Sequence, residues 1–587
     1  MSSQPSAQFE KHYDVVIVGA GVSGLYTAWR LLSGQPAKKP KPSVAIFEAS
    51  DRVGGRLLTW NPAGPAGGLR AELGGMRFFE DQQLVWNLIH KGGIGLDRQV
   101  VPFFTDGSTG LIRYLRALHM PAADDSVAIK EKRYWLNSAE QRERYQKSVD
   151  YLKRVISDVL KRNNYRPDDL KTRKAWDEAK GKLKYDGRML TDVGFWNLLS
   201  RELSSEAYKF ITDSFGYYSL ALNWNAAEAI QNISLEFADN PDYHTLAEGY
   251  ESLPIALAAK VRELGGEIHL ETPVLKFDLT SKQKGGPAAV TVRPAGVAAQ
   301  NISADQLVLA LPRRSLELLA PTPSFDWQHS PRLRWLLDSA RPYPAFKLFL
   351  MYENRWWEDP DFVPQSKYGP IQHGRSVCDL PIRQTYYLRP DSCEKHGWKW
   401  ANGPHHGLVM ASYDDSVVVD FWRGMEPTSA EKAAQRDELR SELSQILSFF
   451  LPAGMKAAED ITWEPPPHMH KATPAMVEQA ERQLRELHAL PKDAALAKLL
   501  FAAYADWTVD PFGGGWHFWE PQYPVVDVMR EIKTPLGKDK PVYLVGEAYS
   551  GVQGWVEGAL TTAEVVLEEF FHLDRPSWLP ANYYLGQ

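Results

Sequence analysis

Cysteine is almost absent from this 587-residue chain: only Cys378 and Cys393 occur, too far apart for a CxxC redox or zinc pair. A disulfide framework is excluded. A positive surplus is missing as well, since 67 Lys and Arg stand against 73 Asp and Glu for a formal charge of -6, so no basic footprint for nucleic acid exists. Nowhere does the sequence reach the roughly 18 consecutive apolar residues of a membrane span, and no membrane partner is expected. Residues Met1 to Tyr13 are polar and hold no apolar signal core, which leads to the expectation of a cytoplasmic protein. Repeats and low-complexity tracts are absent too. What remains is ordinary: 44% hydrophobic and 24% charged residues, close to the globular average, in a chain long enough for about four domains or one large enzyme with insertions.

Tyr13 to Val18 reads as a short buried strand and Val22 to Leu32 as a helix, followed by a Pro/Lys loop, Gln35 to Pro42, and a second strand, Val44 to Phe47. From about Leu111 to Glu236 the chain turns charged and helix-like, as in Tyr145 to Asn163 and Leu198 to Phe215. Strand patterns return at Glu267 to Leu270, Val274 to Leu279, Val290 to Val292, Leu307 to Leu311, Phe346 to Tyr352 and Leu408 to Tyr413. Thr428 with Glu431 forms a capping-box pattern that opens a helix towards Phe450. Near the end, the strand Val542 to Val545 leads to a helix from about Gly558 to Phe570.

Gly19-Ala20-Gly21-Val22-Ser23-Gly24 fits GxGxxG with a strand before it and a helix after it, the context that the dinucleotide mechanism requires. The first glycine allows the tight turn, the second admits a pyrophosphate to the backbone, and the third lets helix and strand pack closely. Glu48 ends the second strand, where a carboxylate can accept from a ribose 2′-OH. A glycine-rich turn without a ligand is the alternative, and the motif does not separate NAD from FAD. Asp51-Arg52-Val53-Gly54-Gly55-Arg56 adds a second glycine turn with two guanidinium groups suited to phosphate and flavin.

With Val545-Gly546-Glu547-Ala548 and Gly554-Trp555-Val556-Glu557-Gly558-Ala559 near the C-terminus, these elements resemble the flavin amine oxidase family, which includes monoamine oxidases, L-amino acid oxidases and amino acid 2-monooxygenases. The likeness spans nearly the whole chain. It implies an α/β fold: a discontinuous FAD-binding Rossmann-type domain (12-73, 243-315 and 536-573), a mixed-sheet substrate domain (74-110 and 316-535) and an inserted helical domain (111-242). It implies that Gly19, Gly21, Gly24, Glu48, Gly54, Gly55 and Arg56 hold FAD, with Glu547 at the ribityl or pyrophosphate region and Val274 at the adenine. Some members attach FAD to a cysteine upstream of the Gly-Glu motif. The matching segment, Gly513-Gly514-Gly515-Trp516-His517, has no thiol, so noncovalent FAD is expected.

Gly74-Gly75-Met76-Arg77 resembles the segment of L-amino acid oxidases whose arginine grips the substrate carboxylate through two charge-assisted hydrogen bonds. A surface salt bridge is the alternative for Arg77. One of Tyr386 and Tyr387, with Tyr387 preferred, resembles a second carboxylate ligand, against a core tyrosine. Lys347 is a charge in an apolar strand, and the matching lysine of the family holds a water beside flavin N5; an exposed strand face is the alternative. Trp555 resembles the aromatic wall, the Gly554 carbonyl would receive the amine, and Trp516 would line the same cavity, although either tryptophan could belong to the core. His468 and His470 form an HxH pair without a third ligand, so no metal is expected. His517 receives no catalytic role, and the sequons at Asn232 and Asn301 carry little weight.

The resemblance implies FAD-dependent oxidation of an L-amino acid, a small-molecule substrate, by O2 to the 2-oxo acid, ammonia and hydrogen peroxide. Alternatives are a 2-monooxygenase giving the amide and CO2, a monoamine oxidase, and a flavin-bearing binding protein without turnover. A homodimer fits the resemblance. Asp239 and Asp242 could receive a basic substrate or be solvated loop charges, so side-chain preference stays open.

Overall fold

Strand Lys11–Val18 buries its last four residues, Val15 to Val18, completely, and Val44–Phe47 beside it is buried throughout. Such unbroken apolar runs belong to parallel strands covered on both faces. In the computed structural model, which describes residues 11–34, 41–62, 69–107, 109–142, 147–237, 242–280, 286–359, 370–388, 406–450, 465–466 and 468–586, these two strands pair in parallel. Gln300–Leu309 flanks Lys11–Val18 on its other side, Glu267–His269 extends the sheet beyond Val44–Phe47, and Val542–Leu544 joins Gln300–Leu309, all in parallel. Val274–Leu279 and Ala288–Val292 complete it as an antiparallel wing. Helix Val22–Ser33 packs its Leu25 and Tyr26 among Leu253, Leu257, Leu560 and Ala563 on one face, and Val16, Val18 and Ala45 on the other join Leu333, Leu336 and Val528, so both faces of the parallel strands are sealed.

A second sheet has eight strands, in the order His470–Lys471, Leu499–Asp506, Ala345–Tyr352, Gly407–Asp415, Gln384–Leu388, Gly374–Cys378, Ile112–Leu115 and Leu118–Pro121. Its central strand, Ala345–Tyr352, is buried at all eight positions. The helical region has its own core, in which Ser148–Arg162 buries Tyr151, Leu152, Val155, Ile156, Val159 and Leu160 at helical spacing.

Three sequence expectations need correction. The stretch Leu198 to Phe215 is two helices, Phe195–Glu202 and Ser205–Phe215, because Ser204 caps the second by accepting from the Ala207 amide at 3.1 Å. Residues 112–121, grouped with the helices, form a hairpin at the edge of the eight-stranded sheet; each strand is only four residues long, too short to show a period. The capping box of Thr428 and Glu431 forms, with Thr428 N donating to Glu431 Oε2 at 2.7 Å, yet the helix stops at Ala434 and a new one runs Arg436–Phe450. Cys378 is buried; Cys393, Asp239 and most of the Pro/Lys loop lie outside the described residues. Among the described residues no helix is long and apolar enough to cross a membrane.

Candidate active site

One cavity of about 760 Å³ is lined both by the glycine turn of the parallel sheet and by residues of the eight-stranded sheet and helical region. Its nucleotide end is a backbone cradle. Gly19 turns at φ +103°, and a Cβ on Gly24 would stand 2.1 Å from the Gly19 carbonyl oxygen, so the helix can approach the strand only with glycine there. At Gly21 a Cβ would meet nothing within 4 Å, which leaves open space above the turn. Helix Val22–Ser33 has no side-chain cap at its N-terminus, so its first amides and its dipole face that space, a ready anion site. Glu48, Gly54, Gly55 and Val274 also line this end. Glu48 accepts from the Ala20 amide at 2.7 Å and from Ser50 N and Oγ at 2.9 and 2.8 Å. Open turn, uncapped helix and acidic strand end fit the pyrophosphate and ribose of a dinucleotide.

The two guanidinium groups of the second glycine turn part company. Arg52 is bound to the turn itself, donating to the carbonyls of Val53, Gly55 and Leu57 and to Glu251, and it does not line the cavity. Arg56 does line it and spans two distant segments, with Nη1 donating to the Gly515 carbonyl at 2.9 Å and Nη2 to Glu547 Oε2 at 2.8 Å. Glu547 is a hub. Its Oε1 accepts from the amides of His517 and Gly554 at 2.9 and 2.8 Å, and its Oε2 lies 2.9 Å from His517 Nδ1. Burial alone would raise its pKa, but Arg56, His517 and the Gly554 amide outweigh that and hold it at about 2.

The other end is an aromatic chamber around Arg77, whose residue is only 7% exposed. Its guanidinium lies 4.1 Å from the Tyr243 ring centroid and within 3.3 Å of Tyr386 OH and 3.5 Å of Tyr217 OH. No carboxylate pairs with it among the described residues, so a buried cation stands without a counter-ion. Trp516 sits edge-on to Tyr217 and Tyr413, and Trp555 stacks on Tyr243 at 6.2 Å with an interplanar angle of 11°. Gly554 lies at φ +84° beside Trp516. The structure thus brings Arg77, Trp516, Gly554 and Trp555 to one chamber.

Neither Tyr386 nor Tyr387 lines the cavity itself. Tyr386, not the preferred Tyr387, meets Arg77; Tyr387 turns to the other face of the strand, with its hydroxyl 2.8 Å from His488 Nε2. Their acidities follow: burial would raise Tyr386, but Arg375 and Arg77 hold it below the ordinary tyrosine value, whereas burial pushes Tyr387 up. Lys347 is buried, as a charge in an apolar strand would not be on a solvent face, but it does not line the cavity. Its Nζ donates to the carbonyls of Glu72 and Gly74 at 2.9 and 2.6 Å and lies 4.6 Å from the Tyr413 ring centroid, so it braces the segment that carries Arg77. Burial pulls its pKa down while Glu72 raises it. His468 lines the cavity against Phe512, and His470 packs on Tyr504; among the described residues no group of three or more ligands could hold a metal.

Sequence reasoning missed Tyr217, Tyr243 and Tyr413, which no motif marks. Comparison with known proteins supplies the context. Aplysianin-A of Aplysia kurodai is 26% identical over 96% of this chain and 91% of its own, and the L-amino-acid oxidase of Bungarus fasciatus is 23% identical over 97% and 88%. Achacin of Lissachatina fulica is 23% identical over 97% of this chain and 95% of its own. A double mutant of putrescine oxidase redesigned in cofactor binding shares the fold, with a TM-score of 0.57, at 17% identity over 96% of this chain and 99% of that one. The model of the flavin containing amine oxidoreductases matches residues 22–457, and the chain belongs to that family.

Proposed function

We propose that the protein binds FAD without a covalent bond and oxidises an L-amino acid to the 2-oxo acid, ammonia and hydrogen peroxide. The observation that carries this reading is Arg77, a buried guanidinium whose described neighbours are phenols and rings rather than acids. Burying a charge without a partner is costly, and a carboxylate arriving with the substrate would complete the pair. The L-amino-acid oxidase relative supports the same class of substrate. An amine without a carboxylate would leave Arg77 uncompensated, which argues against a monoamine oxidase.

In this reading Arg77, steadied by the Tyr386 hydroxyl at 3.3 Å, takes the substrate carboxylate, and the Gly554 carbonyl accepts from the amine. Glu547 holds Gly554 by its amide, while Trp516 and Trp555 exclude water from the chamber. Bound FAD would supply the two-electron acceptor for the Cα hydride, with O2 as the final oxidant reduced to peroxide. The resulting imino acid hydrolyses to the oxo acid and ammonia. The acids that line the cavity, Glu48 and Glu547, are engaged by hydrogen bonds, and His468 lies against Phe512, so in this reading the amine arrives neutral, and turnover rises with pH as free substrate deprotonates.

The test is an anaerobic panel of L-amino acids with flavin absorbance as the readout, followed by product analysis in air. Bleaching by at least one amino acid, with peroxide and oxo acid in equal amounts, is expected. Amide and CO2 instead would assign a 2-monooxygenase, and no bleaching by any amino acid would refute the proposal.

A further inference from the structure

The Trp555 wall is tied down by a residue that belongs to the helical region. Its Nε1 donates to Glu236 Oε2 at 2.6 Å. Glu236 lies in Ile233–Phe237, a π-helical turn that continues helix Ala226–Asn232, and such turns re-aim side chains at functional sites. The residue is 3% exposed and fully engaged. Oε1 accepts from Arg173 Nη2 at 2.9 Å, and Oε2 accepts a second bond from Asn232 Nδ2 at 2.8 Å. Arg173 in turn donates Nη1 to the Gly551 carbonyl at 2.8 Å. One ion pair therefore grips the Gly551–Trp555 segment at both ends, with Gly554 between.

We propose that Glu236 is a positioning residue for the amino acid: through Trp555 and Arg173 it fixes the indole wall and the Gly554 carbonyl against which the substrate is held. This rests on the reading of the chamber given above. Its own oxygens already take three donors, so it is not a receptor for a basic side chain. Without the carboxylate the indole loses its only described hydrogen bond, and the stack on Tyr243, which also supports Arg77, loosens with it. Ground state and transition state use the same wall, so the loss falls on binding more than on the hydride step.

The experiment uses full-length, FAD-loaded protein carrying Glu236→Leu, Glu236→Gln, Trp555→Phe or Glu236→Leu with Trp555→Phe. It reads KM and kcat for the best amino acid of the panel, and the Kd of benzoate, a carboxylate probe, from the shift of the flavin absorption band. Glu236→Leu and Trp555→Phe should each raise KM and the benzoate Kd roughly tenfold, as expected for a buried hydrogen bond to a charged group, with kcat falling less than KM rises. Glu236→Gln keeps an acceptor for the indole but loses the ion pair with Arg173, and its constants should fall between those of the parent and of Glu236→Leu. The double variant should fall well short of the product of the two single effects, since the indole link is common to both changes.

Additive effects in the double variant, a glutamine as poor as leucine, or unchanged constants in Trp555→Phe would overturn the proposal. Trp555→Phe alone decides if the leucine variant does not fold. If no amino acid bleaches the flavin while the benzoate coupling holds, the assigned reaction fails and the positioning role stands; turnover without coupling sinks the role alone.

Discussion

Arg56 and Arg77 line the same cavity and differ in what surrounds them. Arg56 ends on a carboxylate and a backbone carbonyl, Glu547 and Gly515, and ties three stretches of chain together. Arg77 ends on phenols and lies over a ring. A buried ion pair whose remaining valences are met by other hydrogen bonds is a structural joint, because removing either partner strands the other in a low-dielectric interior. A buried cation met only by neutral groups holds its position at a cost, and the cost is recovered when an anion binds. In the proposed reading the same side chain is architecture at one end of the cavity and receptor at the other, and motif matching sees only the arginine.

The contrast breaks first at Arg56. Arg56→Met should cost about 3 kcal/mol of stability, the upper end for a lost charge-assisted hydrogen bond, since Glu547 is buried although Arg56 is only partly so, read by thermal or denaturant unfolding. Arg77→Met should leave unfolding unchanged or slightly improved, because it removes a charge rather than a partner. Its effect appears in catalysis: about 3 kcal/mol of lost carboxylate binding, roughly a hundredfold in kcat/KM for an amino acid. If Arg77→Met destabilised the fold as much as Arg56→Met does, the distinction would collapse.

Acidity sharpens the same contrast. Glu547 titrates at about 2 against an ordinary 4.5, so the proton binds the unfolded chain first as pH falls. The stability it supplies is complete above pH 4.5 and disappears between there and pH 2, on the order of 3 kcal/mol in all. Melting temperatures of the parent protein should fall across that window more steeply than those of Glu547→Gln, which has no proton to gain. Parallel slopes would show that Glu547 is not the joint.

The glycine cradle was legible in the sequence because its chemistry is local: Gly19, Gly21 and Gly24 act through backbone shape within six residues, and a strand and helix frame them. Arg77 was legible only through resemblance, since nothing in Gly74-Gly75-Met76-Arg77 says that the side chain finds no acid. The phenols around it come from the helical region, from the short strand Tyr243–Leu246 and from Gly407–Asp415, and only folding assembles them. The sequence does not part Arg52 from Arg56, because a guanidinium close to a glycine turn serves the turn's carbonyls as readily as a phosphate. Tyr387 was preferred over Tyr386 for a different reason: residues 384–387 are all buried, and where both faces of a strand are covered, alternation no longer tells which side faces the site.

The two neighbouring tyrosines supply the smallest and most discriminating test. Tyr386 pairs with Met410 across the sheet and shares its face with the Arg77 chamber, whereas Tyr387 pairs with Val409 and points into the core that holds Trp357 and His488. Tyr386→Phe removes one hydroxyl from beside Arg77 and should raise KM for an amino acid about fivefold, near 1 kcal/mol, with melting little changed. Tyr387→Phe strands His488 instead and should cost about 1 kcal/mol of stability while KM stays within twofold. The pair also guards against a general loosening of the strand, because both substitutions delete the same atom one residue apart. Only a receptor on one face and a packed core on the other separate KM from melting in this way, and an equal rise of KM in both variants would place the carboxylate elsewhere.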